Sequence, residues 1–223
     1  MNSCTTCKEA IAHCMSTHTF AFAHLYGDEK IMDMHIHNCC EVYYSISGGK
    51  QFLIDHCLYD IRPGDLFLIN QFESHHLTQI DQQTHERIIL SIDPEYLSKL
   101  STGATDLGLC FSFRDTRMPH QIHLSPKEQN RFMYFIHELH DDGGIGEDLL
   151  DQAIFLELMV FLNRAFAARC TDAAAPAPAP SSNYHAQVDA ILSYINSHIG
   201  EPLTLAGLSV HFFMSTSYLC RIF

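Results

Sequence analysis

The chain has 223 residues, with 26 acidic and 13 basic side chains, 16 histidines and no tryptophan, and carries a formal charge of −13 with histidine neutral. At 47% hydrophobic and 17% charged it has globular composition and room for one large domain, or a large and a small one. The apolar runs fall far short of the roughly 20 residues that a membrane helix needs, and the acidic balance excludes a surface that grips nucleic acid over its whole extent, because counterion release requires clustered Lys and Arg.

In chain order, residues 1–14 mix Lys8 and Glu9 with polar residues and have no continuous apolar stretch. They do not read as a secretory signal, so the cytoplasm is the expected address. The nine cysteines are odd in number and irregular in spacing, which favours thiols over a disulfide framework. Cys4 and Cys7, with Cys14 and His18, offer half of a zinc knuckle whose other half is irregular. Thiols at a chain end are the simpler expectation.

From about residue 20 to 92, short β-type runs alternate with turns. Runs at 40–46, 51–54, 65–69 and 87–92 are punctuated by Gly48-Gly49 and Pro63-Gly64. Short strands at close spacing predict a sandwich or small barrel. At residue 125 the pattern changes, because Ser125-Pro126-Lys127-Glu128 places a capping serine before a first-position proline and an acidic first turn. Phe132, Phe135, Ile136 and Leu139 then recur at helical spacing until Asp141-Asp142-Gly143-Gly144. A second helix is predicted over about 147–168, with Leu150, Ile154, Leu158, Phe161, Leu162, Ala165 and Phe166 along one side. This helix pair covers an open side of the barrel, forms a homodimer seam, or does both. His120, His123, His137 and His140 fall in or near this region and read as solvent-facing or capping.

Residues 171–183 lack large apolar side chains and place prolines at alternate positions. Such a stretch neither packs nor continues a helix, so it reads as a spacer. The expected domains are therefore 1–170, a linker at 171–183, and 184–223. Beyond the spacer, Val188, Ile191, Leu192 and Ile195 predict a helix closed by Gly200 as a C-cap. Thr204 and Ser215 then stand as N-caps of two short helices with a tight joint at 212–214. Leu205, Leu208, Phe212, Leu219 and Phe223 are the predicted small core of this helix-turn-helix.

One constellation carries chemistry upstream. In an extended strand, positions 35, 37, 39, 41 and 43 share a face, which would aim His35, His37, Cys39, Glu41 and Tyr43 one way while 36, 40, 42, 44 and 46 form an apolar face. Two imidazoles and a carboxylate suit a divalent transition metal, with a third imidazole from His75 or His76. The spacing of His35, His37, Glu41 and Gly48 resembles the first motif of the cupin superfamily. Gly64 and His75 match its second motif in interval, with Asn70, Phe72 and Gln79 standing where that motif has Pro, Gly and Asn. The resemblance implies a barrel pocket at His35, His37, Glu41, Tyr43 and His75, and metal positions at His35, His37, Glu41 and His75. The same pocket could instead hold an organic ligand without metal.

Downstream, Pro202, Leu203, Thr204, Leu205, Ser209, Ser215, Ser217, Leu219, Arg221 and Phe223 resemble the first helix-turn-helix of the AraC family of transcription regulators. The resemblance implies DNA contact through Thr216, Ser217, Tyr218 and Arg221, of which Arg221 alone can grip guanine or phosphate bidentately. The family carries two such units, and residue 223 falls inside the first recognition helix. This chain alone is therefore expected to bind operator weakly or not at all.

The combined expectation is an α+β chain: a cupin-like barrel with two covering or dimerisation helices, a linker, and an all-α partial helix-turn-helix. It implies a non-enzymatic regulator that senses a small molecule, partners DNA in the full-length protein and forms a homodimer, with no membrane partner. The rival expectation is a metal-dependent cupin enzyme, an isomerase or dioxygenase, using the same four metal positions.

Overall fold

The computed structural model describes residues 4–26, 34–48, 51–55, 57–79, 85–112, 120–139, 144–172, 190–191, 193–195, 197–216 and 219. The elements are α1 (Cys7–Thr17), β1 (Phe20–Leu25), β2 (Cys40–Ser45), β3 (Gln51–Ile54), β4 (Cys57–Asp60), β5 (Asp65–Ile69), β6 (His75–Gln79), β7 (Arg87–Ile92), α2 (Pro94–Leu100), α3 (Leu109–Ser112), β8 (Gln121–His123), α4 (Pro126–Glu138), α5 (Glu147–Asp172) and α6 (Leu205–His211). Two units are distinguished, Met1–Ala174 and Ala175–Phe223.

In the first unit, antiparallel pairing builds a five-stranded sheet in the order β1-β7-β2-β5-β8 and a three-stranded sheet in the order β4-β3-β6. The larger sheet is buried on both faces. Phe20, Phe22, Val42, Tyr44, Leu66, Leu68, Ile88 and Leu90 form one core with the helices. Their alternate neighbours Ala21, Ala23, Tyr43, Phe67, Ile69 and Ile89 form a second core with Phe52, Ile54 and Leu77 of the smaller sheet. Double burial is why β5 and β7 read as continuous apolar runs, where a half-exposed strand would alternate. The second core is the barrel interior, and this is the cupin-like fold expected.

The helix pair covers the outer face of the larger sheet. Ser125 accepts from the Glu128 backbone N–H while the Glu128 carboxylate bonds back to Ser125, a complete capping box. Phe132, Phe135, Ile136 and Leu139 of this segment meet Phe155, Leu158, Met159 and Leu162 of α5 in the outer core. Leu150, expected on the apolar side of α5, is exposed instead, because the buried stripe begins a turn later at Phe155. The helix also continues to Asp172, two residues into the expected linker; residues 173–189 lie outside the described residues.

Three helices had no counterpart in the sequence pattern. α1 opens at Thr6, whose side chain accepts from the Glu9 N–H, and buries Cys7, Ala10 and Cys14 against the barrel interior. α2 is capped by Asp93 with Pro94 in its first turn, and α3 is a single turn. None of the seven cysteines whose side chains are described is bridged.

In the second unit, residues 190, 191, 193–195 and 197 are helical, and Thr204 caps α6 by accepting from the Gly207 N–H at 3.0 Å. Phe213 takes the left-handed conformation (φ 54°) at the expected joint. Gly200 lies in a turn but is not among the positive-φ residues, so it is not the left-handed cap expected. Leu219 is buried and Leu208 and Phe212 half-buried, whereas Leu205 is exposed and does not join them. Phe223 lies outside the described residues.

Candidate functional site

The expected strand over 35–43 is not continuous. β2 begins at Cys40, residues 38 and 39 bend, and His35 is held by an isolated bridge in which its N–H and C=O pair with those of His75 at 3.2 and 3.1 Å. The simple alternation argument therefore fails before Cys40. The side chains converge nevertheless, because the His75 bridge and the bend re-aim His35 and His37 onto the face that carries Glu41.

His35, His37 and His75 each offer a ligand atom within 4.8 Å of the others. Their ring centroids are 4.3 Å apart for His35 and His75, and 4.9 Å for His37 and His75. Glu41 lies beside them, with Oε2 at 3.1 Å from His37 Nε2 and Oε1 at 3.8 Å from His75 Nε2. His75 supplies the third imidazole, leaving His76 out of the cluster.

The two engaged histidines are oriented from behind. His37 Nδ1 donates to the Cys39 carbonyl at 2.9 Å, and His75 Nδ1 donates to the Glu73 carbonyl at 2.9 Å. Each ring thus presents Nε2 to Glu41, the arrangement by which a backbone carbonyl fixes a ligating imidazole. Between His37 Nε2 and Glu41 Oε2, both acceptors when the ring is neutral, a positive charge has to sit. Without a metal that charge is a proton. Burial alone would lower the His37 pKa, but its hydrogen bonds with Cys39 and Glu41 and the charge of Glu41 raise it to about 10. Burial alone would raise Glu41, but the His37 hydrogen bond and the surrounding imidazoles lower it to about 2. Burial lowers His75, outweighing the pull of Glu41, so that its Nε2 is an open lone pair. That atom is buried with no hydrogen-bond partner among the described residues.

The donor set fits a divalent transition metal. Imidazole nitrogens bound at about 2.0–2.1 Å and a carboxylate oxygen at about 2.0–2.2 Å stand roughly 3–3.5 Å from one another around one ion, close to the His37–Glu41 spacing. Such an ion would take the place of the shared proton.

The altered second motif keeps its shape. Phe72, where the cupin pattern has Gly, adopts the left-handed conformation (φ 63°) that glycine ordinarily supplies. Its N–H donates to the His37 carbonyl at 2.8 Å, while the Asn70 N–H is held by the Glu73 carboxylate at 2.6 Å. This turn delivers His75 to the cluster. The motif glycines Gly48 and Gly64 also have positive φ, 90° and 86°, which accounts for them by conformation.

Tyr43 faces the same interior but is not one of the cluster. It packs on Phe52 and Phe67, and its hydroxyl bonds to His85 Nε2 at 2.8 Å. Burial, with Arg87 nearby, lowers the His85 pKa to about 4, so a neutral ring accepts from the Tyr43 O–H. Cys39 was placed on this face by the strand alternation and Cys7 was read only as half of a zinc knuckle, whereas His85 was not recognisable as a site residue in sequence; its nearest signal was its place at the entry of an apolar strand. His120 corrects its surface assignment: it is buried, with Nδ1 at 2.9 Å from the Tyr59 hydroxyl and Nε2 at 3.3 Å from Glu73, because β8 tucks this end against β4. His123 and His137 are exposed, His123 bonding Asp65 at 2.8 Å; His140 lies outside the described residues. Of the DNA-contact positions, Thr216 is exposed, and Ser217, Tyr218 and Arg221 lie outside the described residues.

Comparison with known proteins now decides the family. The model of the AraC-like ligand binding domain matches residues 19–159. The chain belongs to this family. As a member, it is a ligand-sensing regulator of AraC type. No curated protein matches the chain. Among solved structures it is similar to ToxT from Vibrio cholerae, at 12% identity over 92% of this chain and 74% of that one, with a TM-score of 0.56. It is also similar to ToxT from Vibrio cholerae O395 bound to (E)-4-(8-methylnaphthalen-1-yl)but-3-enoic acid, at 10% identity over 92% of this chain and 75% of that one, with a TM-score of 0.50. These identities speak to fold alone. No helix among the described residues is long and apolar enough to cross a membrane.

Proposed function

We propose that the barrel of this AraC-type regulator senses its effector at His35, His37, Glu41 and His75, with Tyr43 lining the same interior, and that the effector site includes a divalent transition metal. The convergence of three imidazoles and a carboxylate inside a domain of this family carries the reading. The metal would supply a Lewis-acidic anchor for an anionic or chelating effector. His37 and His75 are held to receive it by the Cys39 and Glu73 carbonyls, and Glu41 balances its charge. The protein acts by binding and not by turnover, and works in the cytoplasm.

Thr216, Ser217, Tyr218 and Arg221 contact DNA, and the helix pair forms a homodimer seam. Support for the seam comes from an open groove of about 570 Å³ on α4 and α5, where Leu156, Val160 and Phe161 lie among Arg131, Arg164, Glu128 and Glu157. That mixture can complement a second copy of itself. The effector biases the regulator only as far as it binds one arrangement more tightly than another.

Thermal unfolding of the purified chain with Zn(II), Co(II), Ni(II) or Mn(II), alone and with small organic acids, tests the sensing site. A rise in Tm that disappears in His37→Gln and His75→Gln is expected. A response unchanged in both variants would overturn the site, and turnover of a small substrate that vanished with the metal would favour the isomerase or dioxygenase rival.

A further inference from the structure

α1 lies against the barrel interior with small residues at its contact positions. Cys7, Ala10 and Cys14, spaced i, i+3 and i+7, are its buried residues, and all three belong to the interior core with Cys39 and Tyr43. Small side chains let a helix backbone approach closely, and that approach brings Cys7, the first helical residue after the Thr6 cap, to the site. Its Sγ stands 3.9 Å from Glu41 Oε2.

The other thiols of this core have different positions. Cys39 Sγ lies 3.3 Å from His37 Nδ1, the ring edge turned away from Glu41. Cys14 Sγ is directed to the Thr19 carbonyl at 3.5 Å. Cys7 is the thiol set against the carboxylate.

A second observation points to a ligand at the same spot. His75 is 1% exposed, its Nδ1 is committed to the Glu73 carbonyl, and its Nε2 has no hydrogen-bond partner among the described residues while standing 3.8 Å from the other Glu41 oxygen. An orphaned imidazole nitrogen and a thiol thus flank one carboxylate. A sulfur bound at about 2.3 Å and a carboxylate oxygen at about 2.0–2.2 Å on one tetrahedral ion are roughly 3.5–3.7 Å apart. The observed 3.9 Å separation exceeds that by only a few tenths of an ångström.

We propose that Cys7 is a metal ligand, so that the centre is a mixed thiolate, imidazole and carboxylate site selective for a thiophilic divalent cation such as Zn(II), and that metal binding fastens α1 to the barrel. On coordination the Cys7 thiol proton leaves to solvent and sulfur donates its lone pair to the ion; nothing is oxidised or reduced. A soft ligand favours zinc or cobalt over magnesium, calcium or manganese. The proposal rests on the metal-bearing reading of the barrel site, and it adds that the cation is sensed through the N-terminal helix.

The test is Co(II) titration of the reduced chain. Wild type is expected to develop the intense near-ultraviolet sulfur-to-cobalt charge-transfer band, which Zn(II) should bleach by displacement. Cys7→Ser should lose that band while Cys14→Ser keeps it, with affinity weakened by at least the ~10–100-fold seen for removing a metal-supporting group. X-ray absorption of the wild-type Zn(II) protein serves as a check that needs no variant, and should find sulfur at about 2.3 Å. No sulfur in the coordination shell, or a band that survives in Cys7→Ser, would overturn the Cys7 assignment while leaving the histidine site standing. No metal binding at all would overturn both.

Discussion

The two faces of the five-stranded sheet are both dry, but they solve different problems. Toward the helices, Phe20, Val42, Leu68 and Leu90 meet Phe132, Phe155 and Leu158, and the contact is apolar throughout. Toward the barrel, the same strands contribute Glu41 and Tyr43, and the interior gathers charge, thiols and a histidine cluster among Phe52, Phe67 and Leu77. The first face is held by area removed from water. Chemistry occupies the second, where Glu41 is matched by His37 and Tyr43 by His85, while His75 Nε2 is left without a hydrogen-bond partner among the described residues. Stability and the proposed sensing site are therefore divided across one layer of backbone.

Truncating the outer face should give the largest loss of stability with the least effect on the site. Phe155 stacks on Phe20 with centroids 4.3 Å apart and is fully buried. Phe155→Ala is expected to cost about 3–5 kcal/mol in urea unfolding and to leave metal affinity unchanged. Reduced metal affinity at equal folded fraction would break the division proposed.

On the barrel side, Glu41→Gln should cost about 1–3 kcal/mol, since it removes the negative charge that the hydrogen bond from His37 meets, and should abolish Co(II) binding. Retained binding would place the metal elsewhere.

The inner face should also respond to pH where the outer face does not. His37, ordinarily near 6.5, is raised to about 10 in the fold, so its contribution is complete below about pH 6.5 and is lost as pH rises toward 10. Glu41, lowered to about 2, contributes above its unfolded value near 4.3 and loses that contribution as pH falls toward 2. In metal-free protein, Tm is expected to decline from pH 7 to 10, and His37→Gln should flatten that decline. A slope unchanged in the variant would sink the ion pair.

The smallest effect is expected at a helix terminus serving only the outer face. Ser125→Ala removes the α4 cap and should cost about 1 kcal/mol, measured by thermal unfolding, with no change in metal binding.

Much of this division was legible in the residues. β2, β3, β5 and β7 announced themselves by β-branched and aromatic runs between Gly and Pro turns, and Ser125-Pro126-Lys127-Glu128 fixed the start of α4. β4 and β6 were hidden because Cys57-Leu-Tyr-Asp and His75-His-Leu-Thr-Gln are short and mix polar with apolar residues; their pairing with β3 stabilises them. α1 was hidden because its buried face is Cys7, Ala10 and Cys14, too small to register as an apolar stripe. In the site, His35, His37, Glu41 and His75 came from motif spacing, whereas Cys7 and His85 required tertiary contact between segments far apart in sequence. Position 72 lacks the motif glycine, yet Phe72 bears the left-handed strain and keeps the turn, at a cost of order 1–2 kcal/mol.

Arg169, near the end of α5, holds both oxygens of Glu128 at 3.1 and 2.8 Å and also the carbonyls of His123 and Ala165, each at 2.7 Å. It therefore rivets the exit of the long helix to the corner where β8 passes into α4. A pull on the chain beyond Asp172 would load that rivet together with the packing of Ala165 and Phe166, so mechanical tension would reach the barrel wall at the end of α5.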